Sequence, residues 1–76
     1  MSDADKLFYE AGYEKIKQDV IYEGFWEEYY NVDRDKTISF NLSGQIVYIT
    51  DNEEWGITMQ ELKAINKKCE ELGWEV

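Results

Sequence analysis

The stretch from Ile57 to Trp74, ITMQELKAINKKCEELGW, constrains the fold more than any other, because a start signal, an apolar period and a stop signal agree along it. Thr58 suits the N-cap of a helix and Glu61 follows at the third helical position, so hydroxyl and carboxylate can each accept a backbone N–H at the other's place. Ile57 and Leu62 occupy the two positions of a hydrophobic staple. Leu62, Ile65, Cys69 and Leu72 recur at helical spacing and form one apolar stripe, while Lys63, Asn66, Lys67, Glu70 and Glu71 fall elsewhere. Gly73 can take the left-handed conformation that ends a helix, letting Trp74 fold back towards Cys69. A helix with one such stripe needs a second layer to cover.

The clearest candidate for that layer is a hairpin. Thr37 to Leu42 (TISFNL) alternates cleanly, Ser43-Gly44 reads as a two-residue turn, and Gln45 to Thr50 (QIVYIT) returns. That turn sets Phe40 opposite Val47 and Ile38 opposite Ile49, on one face with Leu42; Thr37, Ser39, Asn41, Ile46 and Tyr48 take the other. Asn31 to Lys36 (NVDRDK) is a polar loop, and Asp51 to Gly56 (DNEEWG) a short acidic connection.

Further upstream, Tyr22 to Tyr30 fits helix and strand templates alike, since Ile21, Phe25 and Tyr29 are four apart. Its aromatics decide for strand, with Phe25, Glu27 and Tyr29 facing one way and Trp26, Glu28 and Tyr30 the other. Tyr13 to Val20 suits a first strand in which Ile16 and Val20 supply a modest apolar face. Ser2 or Asp3 can cap a short helix through Asp5 to Ala11, with Leu7, Phe8 and Ala11 on one side and Gly12 as its stop. The expectation is an α+β fold: a short N-terminal helix, a four-stranded antiparallel β-meander, and a C-terminal amphipathic helix packed on one face. Residues 1–76 are expected to make a single small acidic domain.

Charge narrows the function classes. Seventeen acidic residues against eight basic give a net charge of −9. That field repels phosphates and anionic bilayers, so direct nucleic-acid or membrane binding is not expected, whereas a basic protein surface is a suitable partner. No apolar run approaches a membrane span and no export signal is visible, so a cytoplasmic protein is expected. A reducing compartment also suits the single Cys69, whose place on the apolar stripe makes it a buried structural thiol.

Catalysis is not expected. The chain has no histidine, which removes the commonest general base and transition-metal ligand. The carboxylate pairs Glu27-Glu28 and Glu53-Glu54 are adjacent, and neighbours in a strand point to opposite faces. Asp33-Arg34-Asp35 resembles the opening of a calcium loop, but Ile38 and Gly44 stand where glycine and glutamate are needed. Glycines occur singly, so no phosphate-cradling loop is present, and neither cofactor nor metal is expected. What remains is surface. Trp26, Tyr30, Tyr48 and Trp55 amid Glu27, Glu28, Asp51, Glu53 and Glu54 are what a site for a basic, partly apolar protein surface would contain; the same rings could instead close a small core or meet in a homodimer. Lys63, Lys67 and Lys68 form the one basic cluster, expected to be a solvated helix face.

Three stretches carry a resemblance: Ala11-Gly12-Tyr13-Glu14-Lys15-Ile16, Glu28-Tyr29-Tyr30-Asn31, and the run from Ile57 to Trp74. Together they resemble a group of short uncharacterised proteins encoded by phages and prophages of low-GC Gram-positive bacteria. The chain departs from that pattern between Gln18 and Phe25, where it is more apolar. The shared motifs are capping and core residues and bring no catalytic residue with them. The resemblance implies a non-enzymatic protein of a bacterial cytoplasm that inhibits or modulates a host defence or nucleic-acid-processing protein. A host nuclease or a CRISPR effector with a basic channel would be such a target, in an anti-CRISPR or anti-restriction role. The alternative is a structural or assembly module that forms a homo-oligomer with no host target.

Overall fold

A computed structural model describes residues 2–16, 26–51 and 56–74. Its elements run α1 (Asp3–Glu10), β1 (Glu14–Ile16), β2 (Trp26–Asn31), β3 (Lys36–Asn41), β4 (Ile46–Asp51) and α2 (Met59–Glu71). The strands form one antiparallel sheet in the order β1-β2-β3-β4, and both helices pack on the same face of it, giving the expected α+β fold. The assignments made for residues 17–25 and 52–55 lie outside the described residues.

Both helices start and stop by the same chemistry. Ser2 caps α1, its hydroxyl accepting the Asp5 N–H at 3.0 Å, so the helix begins at Asp3 rather than Asp5. Thr58 and Glu61 form the complete capping box of α2. At the far ends, Gly12 (φ 95°) and Gly73 (φ 76°) sit in the left-handed region. Gly12 donates to Tyr9 O and Tyr13 to Phe8 O, as Gly73 donates to Glu70 O and Trp74 to Cys69 O. These are paired Schellman closures, and each lays the following ring back on the core. Tyr13 meets Phe8 edge-on with centroids 5.8 Å apart, and Trp74 lies 6.2 Å from Phe40.

The β3–β4 register is the expected one, with Phe40 opposite Val47 and Ile38 opposite Ile49. Its connection, however, is a loop of residues 42–45, because the last laddered pair is Asn41 and Ile46. Widening a two-residue turn symmetrically leaves the register unchanged. The β2–β3 connection, residues 32–35, has the same construction. Asn31 Oδ1 accepts the Arg34 N–H at 3.1 Å, and Asn41 Oδ1 accepts the Gly44 N–H at 2.8 Å. Each loop ends on a non-glycine residue in the left-handed region, Asp35 (φ 48°) and Gln45 (φ 53°).

Alternation divides the sheet into an inner face carrying Tyr29, Ile38, Phe40 and Val47, and an outer face carrying Trp26, Glu28, Tyr30 and Tyr48. Phe8 stacks on Tyr29 with centroids 3.9 Å apart, and Phe40 stands edge-on to both rings. Tyr13, Ile38, Ala64, Ile65 and Cys69 complete the buried cluster. On α2 the buried side is rotated from the expected stripe. Leu62 is 38% exposed, and Glu61, Ala64 and Lys68 are buried instead. The cause is electrostatic, since Glu61 and Lys68 turn inwards to partners on the sheet. The staple residue Ile57 accordingly lies at the surface as well.

Gly12→Ala should lower stability by about 1–2 kcal/mol, the cost of an L-residue in the left-handed region. An added Cβ would also stand 3.1 Å from Asn31 Nδ2. Gln45→Gly relieves the same kind of strain and should leave the thermal midpoint unchanged or raised. Thermal unfolding of the two variants beside the parent protein checks both.

Candidate protein-binding face

The inner face is held by two ionic clusters flanking the aromatic core. In the first, Glu61 is 2% exposed. Its Oε1 accepts from Lys36 Nζ at 3.0 Å and from the Thr58 N–H at 2.8 Å, while its other oxygen accepts the Tyr13 hydroxyl. Lys36, wholly buried, also donates to Gly56 O at 2.9 Å and lies 3.8 Å from Asp51 Oδ2. One carboxylate thus serves as helix cap, ion-pair partner and tether to the turn after α1. Burial alone would raise the Glu61 pKa, but hydrogen bonds from Tyr13, the Thr58 backbone and Lys36 outweigh it and hold the carboxyl below its ordinary value. Burial, with the Glu61 carboxylate beside it, pushes the Tyr13 phenol well upwards.

In the second cluster Tyr29 donates to Asp5 Oδ1 at 2.6 Å. Glu27 pairs with Lys68 at 2.6 Å and with Lys15 at 3.4 Å, and Lys15 also reaches Asp5 at 3.8 Å. The Lys68 and Lys15 ammonium groups lie 5.7 and 6.0 Å from the Tyr29 ring centroid. Against the effect of burial, which raises them, hydrogen bonding and the nearby lysines hold Asp5 and Glu27 below the usual carboxylate range. Burial, then the Asp5 hydrogen bond, push the Tyr29 phenol upwards. One turn beyond Lys68 on α2, Ala4 N–H donates to Glu71 Oε2 at 3.0 Å, joining the two helices.

These clusters sort the expected site residues. Trp26, Glu28 and Tyr30 do share the outer face. Glu27 and Asp51 stand on the opposite, helix-covered face, where lysines hold them, so they do not join the other three. Glu53, Glu54 and Trp55 lie outside the described residues. The expected solvated lysine face is also divided, because Lys68 is buried on Glu27 while Lys63 is exposed and Lys67 pairs with Glu70. Cys69 is buried, and burial pushes its thiol up, as befits a structural cysteine. Residues 33–35 belong to the β2–β3 loop, where Tyr30 OH donates to Asp35. Among the described residues no group of three or more potential ligands could hold a metal ion.

No described helix packs on the outer face, where Ser39 alone among the described strand residues is buried. Trp26 and Tyr48 are in ring contact at 5.4 Å across the sheet. Tyr48 is 52% exposed, Ile46 45% and Ile16 38%. Strand alternation and register add Glu14 and Glu28 to this face and give it no described lysine or arginine. Glu14 and Ile16 could have been placed there from the sequence only with the β1–β2 register in hand. No helix of the described chain is long and apolar enough to cross a membrane. No known protein family, curated protein or solved structure matches this chain.

The clusters set the pH response. Asp5, Glu27 and Glu61 have folded pKa values below their unfolded ones, so their stabilisation is complete above the unfolded value and is lost as pH falls through the folded one. Tyr13 and Tyr29 are shifted upwards, so their contribution is present below the unfolded tyrosine value and is lost on going more alkaline. The thermal midpoint should therefore be flat from about pH 6 to 9, fall below about pH 4, and fall again above about pH 10. A melt series across that range checks it, and Glu61→Gln should flatten the acid limb.

Proposed function

We propose that this chain is a non-enzymatic binding protein that engages a protein partner with a basic surface through the outer face of its sheet. The observation that carries the reading is the composition of that face: the Trp26–Tyr48 ring pair with half-exposed aliphatic neighbours, bordered by Glu14 and Glu28. Exposed rings in an acidic surround supply buried area and charge complementarity together. Three of the chain's eight basic residues, Lys15, Lys36 and Lys68, are paired with carboxylates on the opposite side, and among the described strand residues the outer face carries Glu14 and Glu28 with no lysine or arginine.

The resemblance to phage and prophage proteins gives this reading its finer form. The partner is then a host defence or nucleic-acid-processing protein, such as a nuclease or CRISPR effector, whose basic channel is occupied in place of phosphates. Inhibition follows from occupancy, with no bond made or broken in the target.

Capture of partners from a host lysate, followed by titration with the purified partner, tests the proposal. Tyr48→Ala should weaken binding by about thirtyfold if the ring is a central anchor. Glu14→Lys with Glu28→Lys should weaken it further, and raised salt should weaken the parent complex. Binding that is indifferent to all three changes, in variants with unaltered circular dichroism, would remove the outer face as the site.

A further inference from the structure

The two edges of the sheet are built differently. On one side the described part of β1 is Glu14-Lys15-Ile16, charged at two of its three positions, and edge charges are a usual means of discouraging another strand. On the other, β4 runs Ile46-Val47-Tyr48-Ile49-Thr50-Asp51, with no charge before its last residue and no lysine or proline anywhere in it. β4 pairs with β3 alone among the described strands, so its outward backbone donors and acceptors have no described strand beside them. The strand is open on both faces, with Ile46 45%, Tyr48 52% and Ile49 37% exposed. Ile49 belongs to the inner face, where Ile38 opposite it is wholly buried, so the cover over β3 thins at β4 and leaves Ile49 exposed between the partly buried Val47 and Asp51.

We propose that β4 pairs antiparallel with β4 of a second copy of this chain, joining two sheets edge to edge into one continuous eight-stranded sheet. A two-fold axis at Tyr48 sets Tyr48 against its counterpart, Ile46 against Thr50, and Val47 against Ile49. Every pair keeps its face, so the exposed Ile49 of each copy meets Val47 of the other on the inner side, and the ring pairs of the two outer faces meet in one stripe. The same register sets Asp51 opposite Gln45 rather than another acid, and Asp51 already leans on Lys36. A second copy is favoured over a foreign strand because the edge is its own complement in charge, length and side-chain size. The outer face proposed for partner binding stays open in this dimer and is doubled. Edge pairing stands without that proposal.

Sedimentation equilibrium from about 1 to 300 μM, with hydrogen exchange resolved over residues 46–51, tests it. The expected mass is twice that of the chain, and amides on both edges of β4 become slow to exchange as dimer forms. In a lone chain, alternate amides stay fast. Because each copy carries a charge of −9, added salt should tighten the dimer, the opposite of its effect on a complex with a basic partner. Thr50→Lys, at an exposed position, should weaken dimerisation at least tenfold with unaltered circular dichroism; Ile49→Lys does the same from the inner side. A monomer at the highest concentration, a heterogeneous open-ended assembly, or a dimer whose alternate β4 amides stay fast would each overturn the proposal.

Discussion

The structure depends on one buried carboxylate. Glu61 satisfies the first turn of α2, accepts from Lys36 at the start of the inner strand β3 and holds the Tyr13 hydroxyl beyond the end of α1. A chain of this size has little apolar area with which to fix the angle between its layers. Directional, charge-assisted hydrogen bonds supply what a small core cannot. They also explain why α2 turns Leu62 partly outwards, since Glu61 can reach Lys36 only if its own side of the helix faces the sheet.

The second cluster repeats the logic at the opposite end of the aromatic core. Asp5 on α1, Lys15 on β1, Glu27 on β2 and Lys68 on α2 meet around the Tyr29 ring, so four elements are tied by charge, two of which, α1 and β2, are also tied by the stacked rings of Phe8 and Tyr29. Burying ions costs free energy, and replacing such pairs with apolar residues is often neutral or stabilising. Their value here is in selecting one arrangement. With Lys15, Lys36 and Lys68 drawn to the helix side, the described strands carry rings and the carboxylates of Glu14 and Glu28 on their outer side, and no lysine or arginine.

Much of this was legible in the residues, because the signals were local. The capping box at Thr58 and Glu61, the stop at Gly73 and the alternation of Thr37 to Leu42 each rest on neighbours a few positions apart, and the register of the second hairpin follows from them. The sequence pattern also divided Trp26, Glu28 and Tyr30 from Glu27 and Tyr29 correctly. What it could not supply was pairing across the chain. Glu61 read only as a cap and Lys68 only as a surface charge, since their partners are distant in sequence and no spacing rule connects them. The grouping of Glu27 and Asp51 with Trp26 failed for the same reason: like charges share a composition without sharing a face. The matched hairpin loops were overlooked although both open on asparagine, at Asn31 and Asn41, which is the residue whose side chain closes such a turn.

The most direct test of the role given to Glu61 is a double-mutant cycle on chemical unfolding with Glu61→Gln and Lys36→Met. If the pair fixes the helix on the sheet, the two changes are coupled by about 1–3 kcal/mol and the double variant is less destabilised than the sum of the singles. Additive effects within about 0.5 kcal/mol would contradict the account and leave the apolar core alone as the organiser of the fold.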